Sequence, residues 1–197
     1  MESAPGHPDL CSINKKQKKM SNTVNWVGDP AHSEVKFKVK HLMITNVTGS
    51  FDDYKIEVHS DGEGFNNPEI SFTAKAASVD TNNEQRDAHL RSADFFDADT
   101  YPEITFKSTK YESAGSNGDY VLEGDLTMKD VTKKIKLDVE FLGVHKDPWG
   151  NAKAGFSISG KINRKDWGLN WNAALESGGV LVSEEVKINA EVQLAKG

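Results

Sequence analysis

Residues Tyr120–Phe141 read YVLEGDLTMKDVTKKIKLDVEF, and this stretch decides the fold. Tyr120, Leu122, Leu126 and Met128 alternate with Val121, Glu123, Asp125 and Thr127. Ile135, Leu137, Val139 and Phe141 then alternate with Lys136, Asp138 and Glu140. A strand sends successive side chains to opposite faces, so a period of two makes one face apolar and the other solvated. Lys129-Asp130 separates the two runs, and Asp tolerates the left-handed backbone of a tight turn. The stretch reads as an antiparallel hairpin with one face to bury.

The same period governs the chain from residue 22 onward. It recurs at Val35, Phe37 and Val39, at Tyr54, Ile56 and Val58, and at Ile70, Phe72, Ala74 and Ala76. It returns at Ile104 and Phe106, at Phe156, Ile158 and Ile162, and at Val186, Ile188, Ala190, Val192 and Leu194. Turn signals divide the runs: Asp61–Gly64, Asn66-Asn67-Pro68, Ala114–Asp119 and Asp147–Asn151. One-sided strands must cover their apolar face, so the sheet closes on itself or packs on a second sheet. The expected class is all-β, an antiparallel barrel of about eight strands, wide enough inside for one small ligand. Helical signal is confined to a short segment near residues 83–93, where Asn82 or Asn83 caps the start and Arg86, His89 and Leu90 share a face. Thr45–Gly49 carries no clear pattern.

The 197 residues suffice for one domain with a good core or an enclosed ligand. The formal charge is -6, and basic and acidic residues alternate, which leaves no stripe for a phosphate backbone; no nucleic-acid partner is expected. Cys11 is the one cysteine, so no internal disulfide forms. Residues 1–21 are polar and contain KKQKKM, with no apolar run after the lysines; they read as a disordered extension preceding a domain at 22–197. The chain as given reads as cytoplasmic, and as periplasmic if its true N-terminus differs. No stable membrane insertion is expected.

A second stretch, Arg86–Phe106, reads RDAHLRSADFFDADTYPEITF. A polar cluster, Arg86, Asp87, His89 and Arg91, runs into the aromatic pair Phe95-Phe96. That order suits a segment covering the mouth of an apolar cavity. It also resembles the central signature of the YceI-like family. The resemblance extends through Trp26–Ser33, Gly49-Ser50-Phe51, Thr81, Tyr101-Pro102, Gly124–Thr127, Val131–Lys133, Gly155-Phe156, Asn163–Leu169 and Val180–Val186, in order and from about residue 25 to the end. Asp130 departs from it, since the family more often has Gly there, which bears on the turn alone. The resemblance implies a lipocalin-like barrel that binds a polyisoprenoid or related lipid, with an amide or acyl chain left open, for transport, storage or sequestration; a stress-linked role is an open alternative. It implies no covalent chemistry. The expected partner is thus an isoprenoid or other long-chain lipid, with a homodimer as an open option.

The residues expected to line the cavity are Phe37, Val39, Phe51, Phe72, Phe95, Phe96, Phe106, Leu122, Leu137, Phe141, Phe156, Ile158, Trp171 and Ile188. Arg86 and His89 are candidate head-group contacts, Arg being suited to phosphate; the favoured reading is that Arg86 and Asp87 pin the helix over the barrel. Small inward residues (Ala74, Ala76, Gly124, Gly143, Ala154, Gly160, Ala190) either leave volume for a chain or relieve crowding. Burial of a chain gains about 0.8 kcal/mol per methylene, so about a dozen carbons give roughly 10 kcal/mol before ordering costs. His32, His41, His89 and His145 do not fall at metal-ligand spacing, and no metal or cofactor is expected. No Ser, Cys or His arrangement signals a nucleophile, so no catalytic residue is expected. The alternative is an enzyme acting on an apolar substrate with the Arg86, Asp87 and His89 cluster at its mouth.

Overall fold

The computed structural model describes residues 23–62, 64–115, 118–174 and 180–197. The extension expected over residues 1–21 lies outside them. The elements in chain order are β1 Thr23–Gly28, β2 Glu34–His41, β3 Thr45–Phe51, β4 Tyr54–Asp61, β5 Asn66–Lys75, β6 Val79–Asp80, α1 Glu84–Arg91, β7 Glu103–Ser113, β8 Asp119–Met128, β9 Val131–Lys146, β10 Ala152–Asn163 and β11 Val182–Lys196.

These eleven segments make eight strands of one closed barrel. β1 and β2 pair in turn with the same strand, β11, at Gly28↔Leu194 and Phe37↔Ile188. β4 pairs with β1 and β3 with β2, while β5 pairs with β4 and β6 with β3. So β1 and β2, β3 and β4, and β5 and β6 are three long strands, each broken once. With β7 to β11 they form an up-and-down meander that β11 closes against β1 and β2. All pairings are antiparallel, as one-sided alternation with short loops requires.

The breaks have local causes. Pro30 cannot donate to a ladder and opens a single 3-10 turn, Pro30–His32, whose first residues are capped by Asp29 accepting from the Ala31 amide at 3.2 Å. A second one-turn segment, Ala76–Ser78, divides β5 from β6. Residues Asp52-Asp53 divide β3 from β4.

The β8–β9 hairpin forms in the register expected, Met128↔Val131 to Leu122↔Leu137. Lys129 and Asp130 both take positive φ, 49° and 59°, which matches the right-handed twist of the flanking strands. Thr45–Gly49 proves to be a strand, hidden in the sequence because Val47 is the one large apolar residue there. Asn66–Pro68 opens β5 rather than interrupting the chain before it. A register shift on β9 near Phe141 leaves Leu142 unpaired between Phe141↔Phe156 and Gly143↔Gly155. The bulge reverses parity, so Gly143 falls opposite Gly155 and leaves the inward series, while Val144 falls opposite the buried Ala154; at this end of the strand Leu142 and Val144 are both exposed.

The barrel has two unlike ends. α1, the Lys129-Asp130 turn, the β2–β3 loop and the start of β11 gather at one, called here the helix end. The β4–β5 and β9–β10 turns gather at the far end.

Candidate functional site

An elongated cavity of about 420 Å³ occupies the barrel interior. That volume is in the range of about 300–1,000 Å³ seen for small-ligand pockets. It exists because inward side chains line the barrel without filling it.

Phe37, Val39, Phe51, Phe72, Phe95, Phe96, Phe106, Leu122, Leu137, Phe156, Ile158, Trp171 and Ile188 all stand on its wall, as do Arg86 and His89. Phe141 does not; its ring packs on Phe65 at 5.6 Å and Phe156 at 5.1 Å at the far end. Phe65 itself was hidden in the sequence, because it follows the Gly-rich turn Asp61–Gly64 and belongs to no alternating run. It takes φ 51°, which turns its ring back into the barrel. There it is buried between Trp26 at 4.9 Å and Phe156 at 5.0 Å, and it forms part of the far wall. A large aromatic residue directly after a Gly-rich turn was the only signal available.

Two inward glycines serve their neighbours rather than the cavity. A Cβ on Gly124 would collide with the Phe106 ring and the Lys107 carbonyl, and one on Gly160 would collide with Leu137. The missing side chains thus seat Phe106 and Leu137, which then form the wall.

At the helix end a polar joint holds the cover in place. Asn83 caps α1 by accepting from the Arg86 amide at 2.9 Å. Asp87, buried, accepts from the Thr81 amide at 2.9 Å and the Thr81 hydroxyl at 2.5 Å through one oxygen. Arg86 donates from Nε to the Thr81 hydroxyl at 2.7 Å and from Nη2 to the Thr81 carbonyl at 2.8 Å. Arg91 reaches back to the Ala77 and Val79 carbonyls at 2.8 and 3.1 Å. The Thr81 hydroxyl therefore donates to Asp87 and accepts from Arg86, which makes it the joint between the two side chains.

Over this joint lie the aromatic residues of the cover. The His89 ring stands edge-on to Trp171 at 4.7 Å and to Phe95 at 5.1 Å, and its Nε2 lies 2.9 Å from Asp94 Oδ2. Phe95 packs on Trp171 at 5.3 Å, and Phe96 meets Phe51 at 5.7 Å. Arg164 is 4% exposed and gives its guanidinium to the carbonyls of Ser183 at 3.0 Å, Trp171 at 2.9 Å and Leu169. Burial pushes its pKa down. Its ties to those carbonyls fix the segment that carries Trp171.

Polarity along the wall is one-sided. Of its polar residues, His41, Thr81, Arg86, His89 and Arg164 gather at the helix end, and Lys36 stands farther down β2. Tyr111, nearer the far end, stacks on Tyr120 at 4.6 Å, and burial pushes its hydroxyl pKa up, so it stays neutral. Among the described residues no three His, Cys, Asp or Glu side chains converge to hold a metal ion.

Comparison with known proteins agrees with this architecture. A UPF0312 protein of Staphylococcus aureus (strain N315) is 40% identical over 172 residues, which cover 87% of this chain and 97% of that protein. Among solved structures, the Campylobacter jejuni YCEI protein is 38% identical with a TM-score of 0.69, covering 80% of this chain and 90% of that one. Burkholderia cenocepacia BcnA is 25% identical with a TM-score of 0.70, covering 84% and 98%. A polyisoprenoid binding domain from Saccharophagus degradans shares the fold at 17% identity, TM-score 0.61, covering 87% and 98%. The YceI-like domain model matches residues 26–194. With nearly the whole described barrel inside that match, the chain belongs to the YceI-like family.

Proposed function

We propose that this protein is a binding protein for a single long apolar chain, a polyisoprenoid or related lipid, held inside the barrel without covalent chemistry. The observation that carries the reading is the polarity of the cavity: an apolar tube whose far end is lined by Phe65 and most of whose polar groups collect around Arg86 and His89. Such a tube takes the hydrocarbon toward Phe65 and leaves a polar terminus beneath α1. The hydrocarbon supplies the affinity, at about 0.8 kcal/mol per buried methylene. The barrel then serves transport, storage or sequestration of its ligand.

Native mass spectrometry of the purified protein, with lipid extraction, tests this directly. A bound species with a long hydrocarbon chain is the expected result. A fluorescent prenyl probe should then compete with it, and Phe95→Ala or Phe96→Ala should change the affinity for that probe. An empty cavity with no competition, or conversion of the probe to a new product, would overturn the reading, the second outcome in favour of an enzyme.

A further inference from the structure

The tip of the β2–β3 loop is built against the usual chemistry of tight turns. Leu42 and Met43 take φ of 52° and 61°, the left-handed region that favours Gly or Asn and disfavours branched and bulky side chains. Their side chains, with that of Ile44, face solvent: Leu42 is 36%, Met43 55% and Ile44 80% exposed. Val180 is exposed as well, and the Leu42 amide donates to the Leu181 carbonyl at 2.8 Å, so the tip is tied to the segment beside it. Neither turn stability nor core packing accounts for three apolar residues in this place.

A second feature adjoins the tip. On the outer face of the barrel Lys38 stands directly opposite Lys187, and Lys187 directly opposite Lys161. Lys136 joins Lys161 and Lys187 around one shallow groove, and Lys40 continues the outward row of β2 up to the tip. Like charges placed opposite one another across a ladder are destabilising. Glu185 answers Lys161 at 3.4 Å, and Asp138 lies in the groove, but among the described residues Lys38, Lys40, Lys136 and Lys187 have no carboxylate within ion-pair distance. This row sits on a chain whose formal charge is -6.

We propose that the tip and the lysine row form a reversible docking surface for an anionic phospholipid bilayer. The apolar side chains enter the boundary between headgroups and acyl chains, and the lysines hold the anionic headgroups beside it. Val39, Val47 and Leu181, with His41 among them, line the cavity just beneath the tip, so a largely apolar path runs from the docked surface to the cavity mouth. Asp94 and Asp99, exposed just after α1, put negative charge on the cover and disfavour an approach from above it. Docking stands without regard to what the cavity holds; its purpose, exchange of a chain between bilayer and barrel, rests on the lipid-binding reading.

The test is sedimentation of the full chain with vesicles of phosphatidylcholine mixed with phosphatidylglycerol, against phosphatidylcholine alone. The protein should partition to the mixed vesicles and be released by salt. Lys38→Glu with Lys187→Glu should lower partitioning about tenfold or more, and Met43→Ser with Ile44→Ser should lower it comparably, with melting and prenyl-probe binding retained in both. Trp149→Ser supplies the control: this residue is 83% exposed at the far end, and its loss should change nothing. Absence of binding to the mixed vesicles, or equal binding to both kinds, overturns the proposal. So does binding that survives both double variants, and so does a lysine row that retains an acidic protein while vesicles stay free. Vesicle binding by a protein whose cavity holds no lipid would leave the docking surface standing and sink the carrier reading instead.

Discussion

Thr81 and Asp87 are joined twice through one carboxylate oxygen, by an amide at 2.9 Å and a hydroxyl at 2.5 Å. Both residues are buried, and Arg86 closes the joint from the other side of the hydroxyl. The joint links the last short strand to the helix that covers the cavity. Asp87→Ala orphans two buried donors and should lower stability by about 1–3 kcal/mol, read from the midpoint of urea unfolding.

Arg86→Ala should destabilise by a similar amount, about 1–3 kcal/mol, because the Thr81 carbonyl loses its partner. Arg86→Lys should not restore it, since an ammonium cannot reproduce two donors in a fixed fork. Melting and prenyl-probe binding are measured together. If Arg86→Ala leaves melting untouched and abolishes binding of phosphorylated prenyl probes alone, Arg86 is a head-group contact and not a structural one.

Phe65 sets the depth of the cavity. Replacing it by Leu keeps much of the volume but loses the ring contacts with Trp26, Phe141 and Phe156. The cost should be about 1–3 kcal/mol, since the smaller side chain leaves space and gives up the aromatic contacts. The preferred ligand should shift toward longer chains, measured by competition among prenyl probes of graded length. An unchanged preference would place the end of the ligand short of Phe65.

Gly124→Ala should be far costlier than its single methyl suggests. The new Cβ meets the Phe106 ring and a backbone carbonyl that cannot yield. Overpacking of this kind costs about 1–3 kcal/mol. The Phe106 ring can retreat only into the cavity, so probe affinity should fall along with the melting temperature.

Asp29 ties the break between β1 and β2 to two other strands. It accepts from Lys153 Nζ and Gln193 Nε2, each at 3.1 Å, and Lys153 above all holds its carboxyl down at about 2, against an ordinary 3.8. A carboxyl with a lowered folded-state pKa adds stability that is complete above its ordinary value and is lost as pH falls toward the lowered one. Asp29→Asn should therefore cost about 1 kcal/mol at neutral pH, once solvent screening is allowed for. The difference from the wild type should close as pH falls from 3.8 to about 2. A gap that stays constant across that window would show that the pairing is not electrostatic.

Alternation by itself determined the class of fold, the hairpin at Lys129-Asp130 and the inward side of the strands that carry a regular period, because the pleat couples sequence parity to direction. Capping chemistry placed α1 to within a residue or two of its observed bounds, since Asn83 carries its own signal. Tertiary structure decided what parity cannot carry. The bulge at Leu142 reverses the alternation beyond it, and a bulge depends on the register of two strands rather than on either alone. Phe65 enters the far end from a turn, where no period applies. Gly124 and Gly160 make room for Phe106 and Leu137, partners on neighbouring strands. The facing of Lys38, Lys187 and Lys161 likewise exists only once β2, β10 and β11 are in register, because residues distant along the chain meet only across the closed sheet.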